Sequence, residues 1–179
     1  MSDSETVYNL LVGTDMTRGK LDSVSTSASG AAANVSFTNG GLWSQDGDGV
    51  HITSRSDNNN DGIGLMVAAS DLGLSAGETY VFSAQLSELN PSDKANGLAV
   101  WQYDSGGWWD GNIAHERWST GAGVYSIPFT YDGSTYVFLH FAVGVGGSAT
   151  VRRFGVYHAE SAAWAPAEGE TLAGGGVLS

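Results

Sequence analysis

The sequence predicts an all-β fold: a two-sheet antiparallel β-sandwich of the jelly-roll kind, with roughly nine or ten strands. Three observations predict it. The 179 residues include 26 Gly and only 3 Pro, short segments rich in Val, Thr, Tyr and Phe recur between turn-forming clusters, and no long segment has helical periodicity. The length fits one domain, which we place at residues 1–160, followed by an extended tail at 161–179.

The clearest strands are two segments in which apolar residues alternate. In 79–87, Tyr80, Phe82, Ala84 and Leu86 fall on one side, and the other side is expected to face water. In 135–143, Val137, Leu139, Phe141 and Val143 oppose Tyr136, Phe138, His140 and Ala142. A third long strand, 149–159, carries Arg152 and Arg153, which strict alternation places on opposite faces.

The stretch 98–118 contains four of the six tryptophans. It begins as an alternating strand with Leu98 and Val100 on one face and Trp101 and Tyr103 on the other. A Gly-Gly turn follows, and then a segment that we interpret as an aromatic and polar loop. Flat rings beside hydrogen-bonding groups suit a sugar, whose C–H faces lie on aromatic rings and whose hydroxyls need directional partners.

This interpretation selects eight candidate sugar-binding residues. Rings for stacking come from both the strand and the loop, and polar side chains orient the sugar. If the strands share a sheet and a face, the candidates form one patch. They are Gln85, Trp101, Tyr103, Trp108, Trp109, Asp110, Asn112 and His140. The alternatives are that Trp101 and Tyr103 belong to the core and that Trp108 and Trp109 fold back to cap the sandwich.

The charge and the cysteine content exclude several kinds of partner and site. Nineteen acidic and seven basic residues give a net charge of −12, which repels phosphate backbones and anionic lipid and argues against nucleic acid and membrane as partners. The absence of cysteine excludes disulfides and thiolate metal sites. Because residues 1–6 lack basic and apolar regions, no cleaved secretory signal is predicted.

One segment partly matches a calcium-binding loop. Asp57, Asn59 and Asp61, followed by Gly62, fit its opening, in which alternate oxygens converge on the ion. The twelfth position, where the carboxylate ligand belongs, is Ala68. A polar hairpin loop therefore competes with a structural calcium site, and no other cofactor is predicted. The acidic cluster 46–49 is interpreted as a turn.

Catalysis is not predicted. A glycosidase needs two carboxylates about 5 to 10 Å apart across a cleft, and the acids near the aromatic residues lie in a Gly-rich segment without evident rigid support. The sequence has no G-x-S-x-G nucleophile turn and no phosphate-binding loop, dinucleotide fingerprint or His-rich zinc motif.

Three short motifs resemble a known family. They are Tyr8-Asn9-Leu10-Leu11 with Gly13 and Asp15, the segment from Leu74 through Gly77 to Ser83, and Trp164-Ala165-Pro166-Ala167-Glu168. They are similar to motifs of the jelly-roll carbohydrate-binding modules of the cellulose and xylan type, especially those of phage and prophage tail proteins. Met16 stands where that family usually has an aromatic residue.

The resemblance implies a non-catalytic module of a phage tail or virion surface that adheres to host cell-surface polysaccharide. The virion is then its location, after synthesis in the bacterial cytoplasm without a signal peptide. Other virion subunits are expected partners, and display on a homo-oligomer compensates for weak single sites. The alternatives are a structural virion module that joins subunits without binding sugar, and a bacterial surface lectin unit detached from an enzyme.

Overall fold

The computed structural model describes residue 10 and residues 34–38, 42–53, 62–90, 97–105, 109–116 and 123–159. These residues contain ten β-strands. They are β1 (Asn34–Thr38), β2 (Leu42–Asp46), β3 (Gly49–Thr53), β4 (Gly62–Ala68), β5 (Thr79–Asn90), β6 (Gly97–Tyr103), β7 (Trp109–Glu116), β8 (Gly123–Thr130), β9 (Tyr136–Ala142) and β10 (Ser148–His158). In the part of the chain described, no helix has the length and apolar character needed to cross a membrane. The predicted division at residue 160 stays a prediction.

The strands form two antiparallel five-stranded sheets, which confirms the predicted fold class. The front sheet has the order β1-β4-β9-β6-β7, and the back sheet has the order β2-β3-β10-β5-β8. The chain passes repeatedly from one sheet to the other, as in jelly-roll sandwiches. As a result, the neighbours at the centre of the front sheet come from distant parts of the sequence.

The core lies between the sheets and is built by the alternating residues that the sequence pattern indicates. Strands β6 and β9 supply Leu98, Val100, Val137, Leu139 and Phe141, all fully buried. From the back sheet, Phe82 of β5 meets Phe154 of β10 edge to face, with ring centroids 5.2 Å apart. Edge-to-face contact is a favoured aromatic geometry, so these rings help to fix β5 beside β10.

The outward side of β5 differs from the prediction. Tyr80, Phe82, Ala84 and Leu86 do face the core, but Val81 and Ser83 are also buried, with 4% and 1% of their surfaces exposed. The expectation that this whole face is wet is therefore wrong. Cross-strand contacts explain part of this burial, since Ser83 Oγ lies 2.6 Å from Ser126 Oγ on β8.

A bulge in β10 also alters the predicted faces of the two arginines. The register with β5 shifts between Val151 and Arg153, which leaves Arg152 as an extra residue. Val151 and Phe154, three positions apart, both belong to the core. Arg152 and Arg153 therefore both fall on the side away from the core, because a bulge interrupts the alternation of faces. Their predicted placement on opposite faces is wrong.

The β2–β3 hairpin is linked to β10 through a short polar chain. Its turn falls at residues 47 and 48, which confirms the predicted turn. His51 Nε2 lies 2.9 Å from Asp46 Oδ2, and His51 Nδ1 lies 2.9 Å from Thr150 Oγ1. The Asp48 backbone N–H donates to Asp46 Oδ1 at 2.8 Å. The hydrogen bond from His51, followed by that from Asp48, lowers the pKa of Asp46 below its ordinary value.

The lowered pKa of Asp46 gives a testable pH dependence. A carboxyl whose pKa is lower in the folded state contributes stability above its ordinary pKa, about 4, and this contribution is lost as the pH falls through the lowered value. We expect Asp46→Asn to lower the melting temperature at neutral pH, because it removes this contribution. The decrease should be modest, since the carboxylate is largely exposed. The difference from the wild type should disappear in acid. Melting curves between pH 2 and 7 measure it.

Asp48→Asn is the matched control for this experiment, because it keeps the backbone hydrogen bond and the contact between Asp46 and His51. If the melting temperatures of the wild type and Asp46→Asn differed by the same amount at every pH, the dependence of stability on the ionisation of Asp46 would be contradicted.

Candidate functional site

The outward face of the front sheet brings several aromatic residues together at its centre. The register of β6 with β9 pairs Trp101 with Phe138, Ala99 with His140, and Tyr103 with Tyr136. Partners in an antiparallel pair lie side by side on one face, and the apolar residues that alternate with them, such as Val100 and Leu139, are in the core. We call Trp101, Tyr103, Tyr136, Phe138 and His140 the aromatic face.

Ring contacts join four members of the aromatic face, Trp101, Tyr103, Phe138 and His140. The Trp101 ring lies 5.7 Å from Phe138 and 5.1 Å from His140, tilted by 47° and 50°. Phe138 and His140 are stacked at 5.3 Å with 18° between their planes. Tyr103 meets Phe138 edge to face at 6.1 Å. The Trp101 ring therefore contacts two other rings, which limits the orientations available to it.

Burial divides the aromatic face into two levels. Trp101, Tyr103 and Tyr136 are half-buried, whereas Phe138 is 3% exposed and His140 is fully buried. His140 lies between two small residues, Gly64 and Ala99, with which it pairs across β4 and β6. In this structure its ring contacts Trp101 and Phe138 rather than solvent, so its predicted role in orienting a sugar directly stays a prediction.

Strand β7, which follows β6 in the order of the front sheet, contains three further candidates, Trp109, Asp110 and Asn112. The sequence predicts a loop over 109–116, but the segment forms β7 and pairs with β6. The prediction is wrong because two register shifts interrupt the alternation by which a strand is recognised in a sequence. The register sets Asn112 opposite Trp101 and Trp109 opposite Tyr103, with Asp110 as the extra residue of one shift.

Trp108 and the three candidate calcium ligands lie outside the described residues, so Asp57, Asn59 and Asp61 remain a prediction. Within the described part of the chain, no group of three or more His, Cys, Asp or Glu side chains is arranged to hold a metal ion.

Gln85 lies apart from the other candidates. It belongs to β5 of the back sheet, where it pairs with Arg153 of β10 and Val124 of β8. The expectation that it shares a face with Trp101 and Tyr103 is therefore wrong. Alternation correctly places Gln85 opposite the core residues of β5, but the pattern of one strand does not say to which of two sheets that strand belongs.

The candidate residues predicted from the sequence do not include Phe138, Tyr136 or Gly64. Phe138 and Tyr136 alternate with His140 in the same predicted strand, so the face that included His140 already contained them. Gly64 gives no signal of its own within a strand-like segment. Its place next to His140 is visible only once β4 is paired with β9.

A partly buried phenol and an exposed carboxylate follow each other at the end of β6, at Tyr103 and Asp104. Desolvation raises the pKa of Tyr103, so its hydroxyl stays protonated and can donate as well as accept. Asp104, immediately after β6, is exposed. The arrangement can stack flat apolar surfaces on Trp101 and Tyr103 and exchange hydrogen bonds at their edges.

Comparisons with known proteins identify the fold. No family model and no curated protein sequence matches the chain, but solved structures do. The CBM22-1–CBM22-2 tandem domain of Xyn10C from Paenibacillus barcinonensis is 13% identical with a TM-score of 0.55, over 87% of this chain and 48% of that one. The chain thus spans about half of that tandem and shares the β-sandwich of a carbohydrate-binding module.

Two further solved structures are similar at lower scores. Chitosan-binding module 1 from a chitosanase/glucanase of Paenibacillus sp. IK-5 is 17% identical, with a TM-score of 0.43 over 84% of this chain and 98% of that one. A family 29 carbohydrate-binding module complexed with cellulohexaose is 10% identical, with a TM-score of 0.45 over 86% and 92% of the two chains.

The raised pKa of Tyr103 can be tested by alkaline titration. A phenol whose pKa is raised by folding contributes stability below its ordinary value, about 10, and this contribution is lost as the pH rises through the raised value. We expect Tyr103→Phe to remove a tyrosinate absorbance component that titrates above about pH 10. The same difference recorded in denaturant is the control, because Tyr103 then titrates normally. If the component removed from the folded protein titrated at the ordinary pKa of tyrosine, the Tyr103 hydroxyl would be fully solvated and its pKa not raised.

Proposed function

We propose that the chain is a non-catalytic carbohydrate-binding module that binds polysaccharide on the aromatic face of its front sheet. The observation that carries the proposal is the pair of half-buried rings, Trp101 and Tyr103, held at the centre of an outward sheet face by Phe138 and His140. Half-buried rings combine a fixed orientation with an accessible surface. Sugar C–H faces then stack on Trp101 and Tyr103, which removes apolar surface from water.

Polar groups at the edge of the aromatic face are proposed to orient the sugar. The register brings Asn112 beside Trp101 and places Asp110 close to Tyr103 along β7. An amide donates and accepts, and a carboxylate accepts two hydroxyl hydrogen bonds. Trp109, opposite Tyr103 in the register, and Trp108 remain candidates for extending the stacking surface beyond β6.

Binding without catalysis is the activity that fits this face best. Glycoside hydrolysis needs a pair of carboxylates on either side of the scissile bond, whereas the side chains described at the centre of this face are rings. The fold shared with a carbohydrate-binding tandem also supports a binding module, although a shared fold does not fix a function.

The net charge indicates which polysaccharides this site favours. At −12 the chain has a strongly negative field, which opposes the approach of chains bearing carboxylate or phosphate groups. We therefore expect uncharged polysaccharides to bind better than anionic ones, and lowering the salt concentration to increase the difference.

The biological setting that we propose is the surface of a phage tail or virion, with a host cell-surface glycan as ligand. The support is the resemblance of Tyr8-Asn9-Leu10-Leu11 and of the segment 164–168 to motifs of phage tail modules. A single sugar site of this kind binds weakly, so adhesion would come from several copies in a homo-oligomer that contacts other virion subunits.

A structural virion module is the second candidate function, and the same rings favour it. Aromatic residues are enriched at protein interfaces, so Trp101 and Tyr103 suit a contact with a neighbouring subunit. In that case the rings become buried in the assembled oligomer and bind no sugar.

Substitution of Trp101 tests the proposal directly. We expect the purified chain to bind an uncharged cell-wall polysaccharide, glucan or xylan with saturation, and Trp101→Ala to raise the dissociation constant by about 30-fold, or about 2 kcal/mol, as for a central binding residue. Isothermal titration calorimetry against a panel of neutral and anionic polysaccharides measures both effects.

Val124→Ala is the matched control, because Val124 is 38% exposed and belongs to β8 of the back sheet. It should bind like the wild type. If no polysaccharide binds, and light scattering shows an oligomer in which Trp101 is protected from oxidation, the structural module replaces the sugar-binding proposal.

A further inference from the structure

Gly64 of β4 lies directly beneath the ring of Phe138. A Cβ built on Gly64 would overlap Cζ and Cε2 of that ring and would come within 2.9 Å of Cε1. The backbone conformation does not require a glycine here. Gly64 is not among the described glycines with positive φ, and the register around its pairing with His140 has no shift. The need for glycine at this position is therefore one of space, since the ring rests on the strand backbone itself.

The Phe138 ring has little room to move away from Gly64. It is 3% exposed and contacts Trp101, Tyr103 and His140, at centroid distances of 5.7, 6.1 and 5.3 Å. Rigid rings in close contact transmit displacement, because a packed interior has few voids to absorb it. Raising Phe138 from the sheet would therefore push on the half-buried Trp101.

The geometry points to Gly64 and Phe138 as positioning residues that set the orientation of the Trp101 ring for its ligand. Because Gly64 has no side chain, the Phe138 ring can lie directly on the backbone of β4. This ring in turn fixes the tilt of the Trp101 ring. This inference rests on the proposed function, in that the ring so positioned is the one that stacks on sugar. A glycine covered by an aromatic ring also stabilises a sheet without any such role, so the test must separate the two.

The first variant is Gly64→Ala, measured against the polysaccharide that the wild type binds. We expect the dissociation constant to rise about tenfold, because stacking depends on the plane of the ring. Gly47→Ala is the matched control: its Cβ meets no atom within 4 Å, and it lies in the exposed β2–β3 turn. Melting temperatures of both variants show how far stability contributes.

A double-mutant cycle identifies the route through Phe138. Phe138→Leu removes the ring atoms that a Cβ at position 64 would overlap. If Gly64 acts through this ring, Gly64→Ala should weaken binding in the wild-type background and have little further effect in the Phe138→Leu background. An equal effect in both backgrounds would overturn the inference. If Gly64→Ala alone fails to fold, the double variant is compared with Phe138→Leu, and a large loss of binding between these two would overturn the inference.

A measurement without ligand separates failure of this inference from failure of the proposed function. In protein labelled with 5-fluorotryptophan, the ¹⁹F signal of Trp101 is assigned by its loss in Trp101→Phe. We expect Gly64→Ala to shift this signal and Gly47→Ala to leave it unchanged. A shifted signal in a chain that binds no polysaccharide would refute the function and support the positioning. An unchanged signal, with unchanged affinity in a chain that does bind, would refute the positioning alone.

Discussion

The pairing of β6 with β9 at the centre of the front sheet is the interaction on which the rest of the site depends. It sets Trp101 beside Phe138 and Tyr103 beside Tyr136. A slip of one residue in this register would turn the aromatic residues inward and Leu98, Val100 and Leu139 outward. The core thus enforces the register, because these three residues are fully buried in their observed positions. The outward rings owe their arrangement to the apolar residues that alternate with them.

The aromatic face is a layered structure rather than a row of independent rings. Phe138 and His140 form a buried level on the strand backbones, and Trp101 and Tyr103 are half-buried above and beside them. Burial thus distinguishes rings that lie beneath the surface from rings that a ligand can reach, a distinction that residue type alone does not give. A histidine in an aromatic cluster resembles a ligand donor in sequence, yet His140 is fully buried in the structure, with its ring against Trp101 and Phe138.

The sequence could predict the all-β class and the core residues of β5, β6 and β9, because each of these strands alternates without interruption over its central residues. It could not predict β7, whose two register shifts remove the alternation, or the shared outward side of Arg152 and Arg153 at their bulge. The placement of Gln85 failed for another reason. Alternation assigns a residue to the inner or outer side of its strand, but the choice between two sheets is made by contacts between residues far apart in sequence.

The order of strands in the front sheet also has a consequence for folding. Its three central strands, β4, β9 and β6, are separated in the chain by strands of the back sheet. Topologies dominated by such distant pairings have high contact order and fold in about milliseconds to seconds. Phe138 does not meet Gly64 until β4 has paired with β9, and Trp101 lacks its ring neighbours Phe138 and His140 until β6 has joined β9. The aromatic face is thus completed only when distant parts of the chain have met, and a chain that stops before residue 136 carries Trp101 without the two rings that it contacts in the folded protein.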